Sequence, residues 1–169
     1  ISMFRPALLL AACLGGCATT VDAPRGPSGL RAQSVELLPF VNASGKPHAA
    51  ERVEALTMTL LSEEKLSFVP YRLEPAADGL PVIEDEARYR QALAAAQARG
   101  AQYGLTGTVV EWGYKSGLDG HPVASVSLRL VELSSGHVVW SASASRSGWG
   151  RDSVGRVAQL ILRELVQRL

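Results

Sequence analysis

The chain has 169 residues, 47% of them hydrophobic and 20% charged, with a formal net charge of +1. That length supports one domain with a real core, and the composition is that of an ordinary globular protein. The arginines are scattered and no Lys/Arg run occurs, so nothing suggests nucleic acid as a partner.

The first seventeen residues set the compartment. Met3 is read as the start, with Ile1-Ser2 extraneous to it. Arg5 supplies a one-charge leader, and residues 6–14 form an apolar stretch too short to span a bilayer. Leu14-Gly15-Gly16-Cys17 then resembles the bacterial lipobox, in which small residues precede a cysteine that is diacylated and becomes the new N-terminus. On that reading residues 1–16 are a lipoprotein signal peptide and Cys17 carries a covalent lipid. Cys13 is discarded with the leader, so the mature chain holds one thiol and no disulfide. Acylation adds about 0.8 kcal/mol per buried CH₂, and several chains give stable anchoring. Position 18 is Ala rather than Asp, which by resemblance to Gram-negative sorting rules favours the outer membrane. With Arg5 lost from the 17 bases, 16 remain against 16 acids. A neutral domain has no long-range electrostatic targeting, so the lipid does it.

Residues 17–33 read as a lipidated flexible tether, because Pro24, Gly26, Pro27 and Gly29 interrupt any periodicity. Fully extended, residues 18–33 reach only about 55 Å. The single domain is expected over 34–169. Residues 34–41 read as a short buried strand and 42–47 as a turn. The Gly45-Lys46 pair is no P-loop: Phe40 stands where the first glycine is needed, and Pro47 where Ser or Thr is needed. Residues 48–66 form a helix with Val53, Leu56, Leu60 and Leu61 as its apolar stripe, and Glu51, Arg52, Glu54, Glu63 and Glu64 off it. Residues 67–71 are a short strand that Pro70 confines to an edge or an end. After a loop, residues 83–99 form an Ala-rich helix opening on Glu84-Asp85-Glu86, which suits the helix dipole, and closing at Gly100.

Three strands follow, over residues 103–114, 123–133 and 138–146. Val126, Leu128 and Leu130 alternate with Ser125, Ser127 and Arg129. Trp140, Ala142 and Ala144 alternate with Ser141, Ser143 and Ser145. Period-2 alternation marks half-buried strands, and the Gly-containing loop at 134–137 joins two of them as a hairpin. A last helix over 152–169 lines up Val154, Val157, Ala158, Ile161, Leu165 and Leu169. The order β-α-β-α-β-β-β-α predicts an α+β domain, a single mixed or antiparallel sheet packed with helices.

No catalytic set emerges. His48, His121 and His137 lack partners at metal-ligand spacing, so no metal is expected. There is no G-x-S-x-G elbow. Gly148-Trp149-Gly150 is a poor dinucleotide turn: Gly155 falls at the wrong spacing, and Trp149 blocks approach of a pyrophosphate. The chain is read as a non-enzyme without a cofactor other than the lipid on Cys17. Two loop residues stand out instead. Trp149, between glycines, suits a membrane interface. Asp119 tips the loop at 116–122.

The segments VELLPFVNASG, RGAQYGLTGTVVEW and VSLRLVELSSGHVVWSAS resemble a superfamily of bacterial lipoproteins that includes the TolB N-terminal domain, CsgG and LpoB. More narrowly, YGLTGTVVEWGYKSGLDGHP with SASRSGWGRDSVGRVAQ resembles the PelC family of outer-membrane lipoproteins of Pel exopolysaccharide export. The resemblance covers the lipobox and residues 34–169. It implies a TolB N-terminal-domain-like fold, and a homo-oligomeric ring of about a dozen subunits that closes through a head-to-tail contact. The ring would sit at the periplasmic face of the outer membrane and cooperate with the porin PelB in exporting Pel polysaccharide. In that setting the resemblance implies an acidic, polymer-guiding lining from Asp119 and an aromatic belt in outer-membrane lipid from Trp149. A carboxylate repeated around a ring focuses a field that attracts a cationic polymer. The alternative is an LpoB-like regulatory lipoprotein docking on a peptidoglycan synthase, which the short tether disfavours. A CsgG-like pore needs a lipid-facing hairpin, and the three strands leave none to spare.

Overall fold

The computed structural model describes residues 19–75, 78–79, 84–117 and 120–169. Its elements are β1 (Thr19–Asp22), β2 (Val35–Leu37), β3 (Val41–Asn42), α1 (Ala49–Glu63), β4 (Phe68–Val69), α2 (Asp85–Ala98), β5 (Tyr103–Tyr114), β6 (Pro122–Glu132), β7 (Val138–Ser147) and α3 (Val154–Val166), with a 3₁₀ turn at Leu30–Ala32. The fold is α+β. Among the described residues the strands form one mixed sheet in the order β1-β7-β6-β5-β2-β4, with β3 continuing beside β5. The pairs β1–β7, β7–β6 and β6–β5 are antiparallel, whereas β2 and β3 run parallel to β5. Pro70 does follow an edge strand, since β4 closes the far side of the sheet.

Alternation along the long strands decides which face is buried. Val126, Leu128, Leu130, Trp140, Ala142 and Ala144 enter the main core with the apolar stripes of α1 and α3. The helices are pinned to each other at their exposed edges, where Arg163 Nη1 reaches Glu63 Oε2 at 2.6 Å and Gln167 Nε2 donates to Glu64 Oε1 at 3.1 Å. Helix α3 starts at Ser153, whose hydroxyl accepts from the Arg156 amide at 3.1 Å, a satisfied N-cap. Adjacent strand residues point to opposite faces, so Leu38 leaves the main core that Leu37 enters. It meets Leu133, Ala92 and Ala96 in a second cluster under α2. The small side chains of α2 make that approach possible.

The join between β2 and β3 is not one continuous strand. Three residues, 38–40, separate the paired positions Leu37 and Val41, whereas two, 106–107, separate their partners Leu105 and Thr108. The extra residue is accommodated at Pro39-Phe40, where proline has no N–H for the ladder. Side chains fill the gap. Thr106 Oγ1 donates to the Pro39 carbonyl at 2.8 Å, and Glu54 Oε1 accepts from the Phe40 amide at 2.7 Å. Glu54 is therefore buried, 6% exposed, and not on the solvent side of α1 as the stripe of leucines suggested. Spaced with Ala50, Thr57 and Leu61, it lies on the buried face.

A second correction concerns the tether. Residues 19–33 are not a free linker. Strand β1 pairs with the end of β7, Thr19 opposite Arg146 and Asp22 opposite Ser143. Beyond it the chain stays docked: Trp140 Nε1 donates to the Pro24 carbonyl at 2.8 Å, the Gly26 amide to Arg168 O at 2.6 Å, and Leu30 is buried. Pro and Gly here shape a path along the domain rather than loosening it. Trp140→Phe, which removes the donor together with part of the buried indole, should cost about 1–3 kcal/mol and speed amide exchange across β1. Unchanged exchange there would show that the indole bond does not hold the segment.

Candidate functional site

The antiparallel pairings bring four chain positions to one end of the sheet. Strands β5 and β7 end there, and β6 and β1 begin there, since Tyr114 pairs with Pro122, Val123 with Ser147, and Thr19 with Arg146. Local hydrogen bonds fix the loops. The Lys115 amide donates to His121 O at 2.8 Å, and the Gly148 amide to Pro122 O at 2.8 Å. Asp152 closes a turn around Trp149, its Oδ2 accepting from the Trp149 amide at 2.9 Å and its amide donating to Trp149 O at 2.7 Å. The indole rests edge-on against the His121 ring, centroids 5.5 Å apart and planes at 78°. Trp149 is nonetheless 54% exposed, and Tyr114 at the end of β5 is 61% exposed. Two of the largest exposed apolar surfaces thus share one end of the molecule.

Cys17 and Asp119 lie outside the described residues. Their described neighbours converge with Trp149. Thr19, two residues after Cys17, accepts through Oγ1 from Arg146 Nη1 at 3.0 Å, and Arg146 is three residues before Trp149. Lys115 and His121, which bracket the Asp119 loop, are bonded to each other at the same end. Positions more than 100 residues apart in sequence are neighbours here because β1 pairs with β7, and that pairing is the element the sequence did not announce.

A second polar assembly escaped the sequence reading. Glu54 Oε2 accepts from the Tyr71 hydroxyl at 2.7 Å, Arg88 Nη2 donates to that hydroxyl at 3.0 Å, and Arg88 Nη1 lies 3.6 Å from Asp85. Burial raises the Glu54 carboxyl above the usual 4.5, more than the Phe40 amide and Tyr71 bonds lower it. Burial, and then the adjacent Glu54, push the Tyr71 hydroxyl up as well. The assembly links α1, the segment after β4 and α2 in one network. Its oxygens are taken up by protein donors, so it reads as a structural brace.

Among the described residues no group of three or more His, Cys, Asp or Glu side chains is placed to hold a metal ion. His48 and His137 are exposed, and His137 lies at the opposite end of the β6–β7 pair from His121. No helix of the described residues is long and apolar enough to cross a membrane.

Against solved structures, the chain is similar to a PelC dodecamer from Paraburkholderia phytofirmans, with 30% identity and a TM-score of 0.72, over 89% of this chain and 96% of that one. The chain belongs to the PelC family. A second crystal form of the P. phytofirmans PelC dodecamer, carrying one substitution, matches at 29% identity and a TM-score of 0.71, over 91% of this chain and 98% of that one. The lipoprotein GNA1162 from Neisseria meningitidis shares the fold, with 24% identity and a TM-score of 0.56, over 80% of this chain and 96% of that one. No protein-family model and no curated protein sequence matches the chain.

Proposed function

We propose that this chain is a lipid-anchored, non-enzymatic subunit of a ring at the periplasmic face of the outer membrane, assisting export of Pel exopolysaccharide through the porin PelB. Cys17 carries the lipid, Trp149 seats in the lipid interface, and Asp119 contributes an acidic lining that guides a cationic polymer. The observation that carries this reading is the gathering, at one end of the sheet, of exposed Trp149 and Tyr114 with the start of β1. One residue, Ala18, lies between Cys17 and Thr19, so the two Cα atoms are at most about 7 Å apart. A cysteine acylated there would hold that end of the domain against the membrane, where amphipathic aromatic rings belong. Membership in a family whose P. phytofirmans member is a dodecamer supports the ring. Copies that each carry a lipid and an indole attach multivalently, so no single contact needs to be strong.

Light scattering on the acylated chain in detergent tests assembly. The expected species is a closed ring of about a dozen chains, and a single-chain mass at high concentration would overturn it. Asp119→Ala should weaken polymer export from cells in which the variant is folded and abundant; normal export removes the acidic lining. Trp149→Ala should leave unfolding stability within about 0.5 kcal/mol of the parent, as for other exposed side chains, while reducing membrane retention of the chain. A loss of several kcal/mol would instead give the indole a packing role.

A further inference from the structure

We propose that the Trp149 end of the sheet carries a binding surface for the phosphate groups of anionic lipid headgroups, formed by Lys46, Lys115 and Arg151 around Tyr114 and Trp149. The inference rests on the membrane-seated reading above and names the lipid chemistry that this end selects. Lys46 comes from the turn before α1, and its Cε lies 3.4 Å from where a Cβ on Gly113 would stand, which places its stem alongside the end of β5. Lys115 directly follows Tyr114, and Arg151 lies two residues after Trp149 in the turn closed by Asp152. All three cations are exposed. None has an acidic partner among the described residues, whereas Arg31, Arg88, Arg90, Arg99, Arg156 and Arg163 each lie against a carboxylate.

Asp152 is engaged by the Trp149 amide and lies 3.6 Å from Arg156. Glu111 is exposed three residues before Tyr114, and Asp119 lies outside the described residues. Arg146 adds a fourth cation, held by Thr19 at 3.0 Å beside the start of β1. The physical logic is that of an interfacial anchor. Aromatic rings settle at headgroup depth, and flexible Lys and Arg stems lie along the apolar surface while their charged heads reach phosphate oxygens. A chain whose total charge is near zero would have no long-range attraction to an anionic leaflet. A local excess of cations does, over a Debye length of about 8–10 Å at physiological salt. Each Lys or Arg near an anionic surface is worth about 1 kcal/mol, or about five-fold in binding.

The test uses the mature chain, residues 17–169, with Cys17→Ala, so that neither acylation nor the apolar leader masks the surface, and vesicles of phosphatidylcholine alone or mixed with phosphatidylglycerol. Phosphatidylglycerol should raise binding by about ten- to a hundred-fold at low salt, a gain that shrinks with added salt. Replacing Lys46, Lys115 and Arg151 together by Gln should abolish the gain while leaving binding to phosphatidylcholine unchanged. Arg25→Gln with Arg168→Gln, at the other end of α3, should preserve it. Equal binding to both vesicles, or a gain that survives the triple substitution, overturns the proposal while the Trp149 seat stands. Absence of binding to either vesicle overturns the seat itself, and the phosphate surface with it.

Discussion

Phe40→Ala is expected to lower the unfolding free energy by about 3–5 kcal/mol, the range for removing a buried aromatic ring. Phe40 is 0% exposed and sits where β2 passes to β3. Its ring lies over Gly107 so closely that a Cβ at position 107 would be 2.7 Å from Phe40 Cε2 and 2.8 Å from Ser127 O. Glycine at 107 is therefore required by close approach, not by an unusual backbone angle. Gly107→Ala should cost about 1–3 kcal/mol through overpacking. The two changes should not add. Removing the ring relieves its part of the clash and leaves that with the Ser127 carbonyl, so the double variant should be less destabilised than the sum by about 1 kcal/mol. Urea titration of the four proteins measures this directly. Additivity to within about 0.5 kcal/mol would mean that the ring and position 107 do not compete for the same space.

The regular parts of this fold were written in periodicity. The alternation in β6 and β7 and the stripes of α1 and α3 arise because each element buries one face continuously, and burial on one face is what a period reports. The same logic explains what was hidden. Strand β1 has four residues, Thr-Thr-Val-Asp, too few to show a period, and a proline and glycine run follows it. Its partner lies more than 100 residues away, and pairing at that distance leaves no local trace. Because β1 sets where the N-terminal segment meets the domain, the convergence of Thr19, Lys115 and Trp149 was equally hidden, although Trp149 itself stood out between its glycines. Glu54 was misplaced for a different reason. Hydrophobicity marks a stripe by its leucines, and a carboxylate inside the stripe looks like an error in the pattern. Its spacing from Ala50, Thr57 and Leu61 was the better guide, and the ladder break that Pro39 creates supplies the reason for a buried acceptor.

Glu54→Ala should cost about 2–4 kcal/mol, since a buried donor left without its acceptor costs about 1–3 kcal/mol and two donors lose theirs. The Phe40 amide loses its 2.7 Å bond and cannot recover one from the sheet, while the Tyr71 hydroxyl keeps only the donation from Arg88. Glu54→Gln retains an acceptor for Phe40 and should cost less. The pH dependence separates the carboxylate from its shape. Burial raises the folded carboxyl above the usual 4.5 that the unfolded chain has. The folded state therefore holds the proton more tightly, and this contribution to stability is fully present below 4.5 and lost as pH rises through the folded value. Wild-type stability minus that of Glu54→Gln should accordingly fall across the mildly acidic range and level off above it. Thermal or urea unfolding of both proteins from acid to neutral pH reads the difference. A difference that instead grows with pH would mean that the Phe40 amide, Tyr71 and Arg88 stabilise the ionised carboxylate more than burial penalises it, reversing the balance assigned to this brace.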